Sequence, residues 1–78
     1  MWPDATQEID ITGEVCPMTF VRTKLKLERM APGETLAVRL NAGEPLQNVP
    51  RATAEHGHEV LLTEALADGT HRLLIRRR

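Results

Sequence analysis

Gly13-Glu14-Val15-Cys16-Pro17-Met18-Thr19-Phe20 marks the point where an apolar strand-like run stops and a helix-like run begins. A proline directly after Cys16 suits the first helical position, since its missing N–H would lack an intrahelical partner there and its φ is already helical. Cys16 then falls at the N-cap. The orphan N–H groups and the positive end of the helix dipole favour an anion at that place, so a thiolate is stabilised. Thiols in such settings fall from about pKa 8.5 towards roughly 3.5–7.5, and the thiolate is the form that attacks sulfur or binds metal. The competing reading is a buried cysteine serving as a small hydrophobe, the usual state of a free cysteine. Local geometry favours the reactive one.

Upstream, Glu8-Ile9-Asp10-Ile11-Thr12 alternates polar and apolar as a half-buried strand does, and Gly13 ends it. Downstream, Cys16 to Met30 reads as a helix closed by Ala31-Pro32-Gly33. Helical spacing puts Phe20, Thr23, Leu27 and Ala31 on one face, the expected core side. Met18, Val21 and Leu25 form a second stripe beside Cys16, read equally well as a wide buried face or as a surface for docking a partner. Arg22, Lys26 and Arg29 supply the polar remainder. Lys24 and Arg22 are candidates for holding an acidic partner or offsetting nearby negative charge, against a default of solvated helix face.

Leu36, Val38 and Leu40 alternate within Glu34-Thr35-Leu36-Ala37-Val38-Arg39-Leu40, the clearest strand, which Asn41-Ala42-Gly43 breaks. A second helix takes Leu46, Val49, Ala52 or Thr53, and His56 inward and ends at Gly57. Because an internal proline costs about 3 kcal/mol, Pro50 places its start near Asn48 or Val49, after a turn-like Glu44 to Gln47. His58 to Ala65 and Thr70 to Arg77 form a hairpin across Leu66-Ala67-Asp68-Gly69, where Asp-Gly is a strong turn signal. The order is β-α-β-α-β-β. Right-handed crossovers put both helices on one face of a four-stranded mixed sheet, a two-layer α/β (α+β) sandwich.

Composition narrows the function. Seventy-eight residues make one domain spanning 1–78, and a single cysteine excludes an internal disulfide, so a reducing, cytoplasmic setting is expected. No signal pattern or membrane-length apolar run is present. The formal net charge is −1 and only Trp2 and Phe20 are aromatic, which makes a nucleic-acid interface unexpected. Arg76-Arg77-Arg78 reads as a solvated, frayed tail. His56 and His58 with one distant cysteine give at most three ligands, so no metal is expected; His56 reads as a helix C-cap residue. Asp10 is expected to satisfy backbone in the Gly13 turn.

The chain resembles the TusA/SirA family of small sulfur-carrier proteins over nearly its whole length. Asp10-Ile11-Thr12-Gly13-Glu14-Val15-Cys16-Pro17, Thr23-Lys24, Met30-Ala31-Pro32-Gly33-Glu34 and Gly57-His58-Glu59-Val60 carry the resemblance. It implies that Cys16 accepts sulfane sulfur as a persulfide from a cysteine desulfurase or rhodanese-type donor and passes it to an acceptor protein. It implies no cofactor, and pathways from tRNA thiolation to cofactor assembly and oxidative sulfur metabolism. Pro17 matches the first proline of the family's Cys-Pro-x-Pro motif, while Thr19 replaces the second and Thr12 stands where a basic residue is common. Thr19 restores a backbone N–H and adds a hydroxyl, both potential donors to the Cys16 sulfur. A monomer is expected. The rival reading is a non-catalytic RNA- or protein-binding module, to which the missing second proline and Arg72, Arg76, Arg77 and Arg78 would point.

Overall fold

The computed structural model describes residues 5–15 and 18–78. Along the chain run β1 (Gln7–Asp10), α1 (Met18–Glu28), β2 (Thr35–Leu40), α2 (Glu44–Glu55), β3 (Glu59–Ala65) and β4 (His71–Arg76), in the expected order. The sheet order is β1-β2-β4-β3, with β1 parallel to β2 and the other neighbours antiparallel. Register sets Leu36 opposite Ile75, Val38 opposite Leu73, and Ile9 opposite Val38. These alternate residues share one face, where Leu27 and Met30 from the α1 side and Val49 from α2 join them in a single core. Both helices therefore cover the same face of the sheet, giving the two-layer sandwich expected from the sequence.

On the other face Arg39 and Arg72 stand directly opposite each other, an arrangement that costs energy unless carboxylates offset it. They do. Arg72 Nε lies 3.2 Å from Glu64 Oε1, Arg76 pairs with Glu59, and Arg39 reaches both Asp10, at 3.9 Å, and Asp68. Asp10 and Asp68 belong to two copies of one local device. In Asp10-Ile11-Thr12 and Asp68-Gly69-Thr70 the aspartate Oδ1 accepts from the threonine N–H, at 2.9 and 3.0 Å, and from its hydroxyl, at 2.6 Å in both. These bonds, with Arg39 nearby, lower both carboxyl pKa values below the ordinary 3.8.

A depressed carboxylate stabilises fully above its unfolded pKa and loses that contribution as pH falls through the folded one. Replacing Asp10 and Asp68 together by alanine is expected to weaken the fall in urea midpoint between about pH 5 and about pH 2. An unchanged slope in that window would place the acid sensitivity in other groups.

Three expectations need correcting. Ala31 is exposed, because α1 stops at Glu28 and 3₁₀-type bonds from Arg29 N–H to Lys26 and from Met30 N–H to Leu27, both 3.1 Å, swing Met30 into the core instead. The buried face of α1 is accordingly Thr19, Thr23 and Leu27, with Phe20 half-buried at its margin. Second, α2 begins at Glu44 with Pro45 in its first turn and runs through Pro50. One continuous helix lets Leu46 pack against the core on the face that buries Val49 and Thr53, which offsets the bond that Pro50 cannot make.

Third, the C-terminal arginines are docked rather than frayed. Arg77 exchanges backbone bonds with Gly33 and Glu34, and its Nε donates to the Leu27 carbonyl at 2.6 Å, satisfying an acceptor in the last turn of α1. Arg78 N–H donates to His58 Nδ1 at 3.3 Å. Among the described residues no helix is long and apolar enough to cross a membrane.

Candidate functional site

The chain approaches position 16 along a segment tied down at several points. Ile11 follows β1, is 2% exposed, and donates its N–H to the Arg39 carbonyl at 2.9 Å. Asn41, at the end of β2, donates from Nδ2 to the Thr12 carbonyl at 2.7 Å, and Glu14 N–H closes a turn onto Ile11 O at 3.0 Å. Met18 N–H then donates to Val15 O at 2.8 Å, so the residues flanking positions 16 and 17 are joined. Cys16 and Pro17, and with them the N-cap placement, lie outside the described residues.

Charge around this segment is already spoken for. The Asp10 carboxylate is held by Thr12 and faces Arg39, as the turn reading anticipated. Glu14 Oε1 lies 3.3 Å from Arg22, so the charge nearest the cysteine in sequence is offset by a cation from α1. Lys24 pairs with Glu28 at 3.7 Å within the helix and is not directed to Glu14.

The second stripe of α1 faces outward. Met18 is 44% and Leu25 50% exposed, Val21 is half-buried, and Val15 beside them is 76% exposed. An apolar flank thus adjoins position 16 where a wide buried face was the alternative. Thr19 is on the opposite side of the same turn, fully buried, with its carbonyl accepting from Thr23 Oγ1 at 3.0 Å.

His56 and His58 have separate surroundings. The His56 ring lies against Phe20 with centroids 5.2 Å apart, tying the end of α2 to the start of α1. His58 has its pKa lowered by partial burial first, then by the Arg77 and His56 charges, and it accepts from Arg78. No group of three or more potential metal ligands occurs among the described residues.

One feature escaped the sequence reading. Arg22, Lys26 and Arg29 line a groove of 410 Å³ between α1 and β1, together with Leu25 and, across from them, Ile9, Asp10 and Ile11. Their spacing of four and three residues is the signal that they form one stripe rather than scattered solvation.

Comparison with known proteins agrees with this architecture. The family model described as "Sulfurtransferase TusA" matches residues 7–77. A protein of Archaeoglobus fulgidus named "Putative sulfur carrier protein" is 43% identical over 75 residues, covering 96% of this chain and 85% of its own length. A Thermotoga maritima protein of the same name is 35% identical over 71 residues, 91% of this chain and 90% of its own. The crystal structure of a SirA-like protein from Desulfitobacterium hafniense superposes with a TM-score of 0.79 at 24% identity, over 91% of this chain and 96% of that one, and shares the fold.

Proposed function

The chain belongs to the TusA sulfurtransferase family, and from that premise we propose that Cys16 carries sulfane sulfur as a persulfide between a donor and an acceptor protein in the cytoplasm. The Cys16 thiolate attacks the terminal sulfur of a persulfide on a cysteine desulfurase or rhodanese-type donor. A new S–S bond forms to Cys16 as the donor's S–S bond breaks, and the donor cysteine leaves as a thiolate. In the second half the acceptor's thiolate attacks the outer sulfur, and Cys16 is released as a thiolate. The sulfane sulfur moves without net oxidation or reduction.

The observation that carries this reading is the setting of the single cysteine, between Val15 and Met18, both exposed, with Leu25 continuing the apolar surface. With no second thiol in the chain to expel the cargo, release waits for an incoming acceptor. Pro17 sets the helical start. In the first turn the Thr19 N–H, which a proline would lack, is the supporting donor to the sulfur, while Met18, Val21, Arg22 and Leu25 form the docking surface. The Glu14–Arg22 pair limits the repulsion an unpaired carboxylate would exert on a thiolate.

The rival RNA- or protein-binding reading loses three of its four motivating arginines. Arg72 pairs with Glu64, Arg76 with Glu59, and Arg77 with the end of α1, so these cations serve the fold. Incubation with a persulfide-loaded donor should add one reducible sulfur mass to the protein and none to Cys16→Ser. Equal adducts on both, or none on either with desulfurase and rhodanese donors, would overturn the assignment.

A further inference from the structure

We propose that the groove between α1 and the outer edge of β1 receives an extended acidic segment of a partner protein, which adds to the sheet alongside β1. The inference rests on the reading that this chain docks partner proteins, and it names the chemistry of one contact. β1 lies at the end of the sheet order, so no strand among the described residues pairs with its outer edge. Such an edge is a template for an added strand, whose main chain supplies affinity while alternate side chains supply specificity.

The groove walls specify those side chains. Ile9, Ile11 and Leu25 give it an apolar lining, and its volume of 410 Å³ lies in the range of ligand clefts. Its cations are not equivalent. Arg22 is paired with Glu14, whereas the Lys26 and Arg29 side chains meet no carboxylate among the described residues. The unmatched charge in the groove is therefore positive and sits at Lys26 in the last turn of α1 and at Arg29 in the 3₁₀-type turn that follows it.

Across such a turn residues three apart eclipse each other at about 6 Å, three times its rise of about 2.0 Å. Same-face residues of an extended strand repeat at about 6.7 Å, twice the strand rise, so two successive same-face carboxylates come within reach of both cations. The apolar lining suits the methylene stems of those same acidic side chains. A phosphate backbone fits less well, because it cannot pair as a strand with β1 and finds no aromatic platform in the groove lining.

The test uses the full chain and a fluorescent synthetic hexapeptide alternating valine and glutamate, with a valine–lysine hexapeptide and oligouridine as comparisons. The glutamate peptide is expected to bind, to weaken with salt, and to shift the backbone amide signals of β1. In Lys26→Glu/Arg29→Glu, which alters only surface charge and should keep its melting temperature, its affinity should fall at least tenfold. Cys16→Ser should bind the peptide unchanged, so a failure of sulfur loading and a failure of this contact read out separately. No binding, equal binding of the lysine peptide, full affinity in the double variant, or tighter binding of oligouridine would each overturn the proposal.

Discussion

Truncating Leu27 to alanine is expected to destabilise the protein by about 2–5 kcal/mol, the range for leucine deletions in a packed core. Leu27 is 1% exposed and joins Leu36, Val38, Val49 and Ile75 in the core. It is the last fully buried side chain of α1 and anchors the end of that helix in the core. For a chain of this size each kcal/mol lowers Tm by about 4–8 °C, and total stability is only about 5–15 kcal/mol. A large part of the population should unfold well below the parent's midpoint. Circular dichroism against temperature and urea decides it: a loss under about 1 kcal/mol would mean that this face of α1 is not what joins helix to sheet.

Leu25→Lys, two residues away, should do the reverse. Leu25 is 50% exposed, so replacing it is expected to stay within the roughly 0.5 kcal/mol typical of surface changes. Sulfur transfer from a loaded donor should slow about tenfold or more, because a charge at the centre of an apolar contact removes buried area and must itself be desolvated. Transfer kinetics and melting measured on the same preparation separate the cases. A Tm loss comparable to that of Leu27→Ala would make Leu25 structural, and unchanged transfer would remove the stripe from docking.

The fold was legible because each element carried its own periodicity and punctuation. Leu36, Val38 and Leu40 alternate, Asp68-Gly69 turns the hairpin, and Pro32-Gly33 follows the end of α1. What misled were cases where a local rule met a tertiary demand. Pro50 argues against a long α2 until the burial of Val49 and Thr53 and the packing of Leu46 are weighed against one lost bond. The terminal arginines read as tail because a sequence does not show that the end of α1 presents the Leu27 carbonyl to Arg77, 50 residues away. Ala31 fitted the apolar spacing of a helix that had already ended.

Around the cysteine, sequence located the exposed stripe but left its direction open. Met18, Val21 and Leu25 are spaced identically whether they face core or water, and only the placement of Thr19, Thr23 and Leu27 under the sheet decides between the two. The groove was hidden for a different reason. Arg22 and Lys26 lie on α1, Arg29 in the turn after it, and Ile9 and Ile11 on and just beyond β1, and a cleft between elements has no signature in any one of them.

β1 has four residues, pairs on one side only among the described residues, and meets β2 at a sequence separation of 29, as in Gln7 against Leu36. In terms of local opening this makes β1 one of the cheapest strands to release, since short, singly paired edges sit at the low end of a protein's opening free energies. The segment leading to Cys16 is attached to that strand, while Leu36, Val38, Leu73 and Ile75 lie in the doubly paired interior. β1 can therefore open as its own small cooperative unit while the doubly paired interior strands stay closed. Local opening thus begins at a margin of the sheet and spares its core.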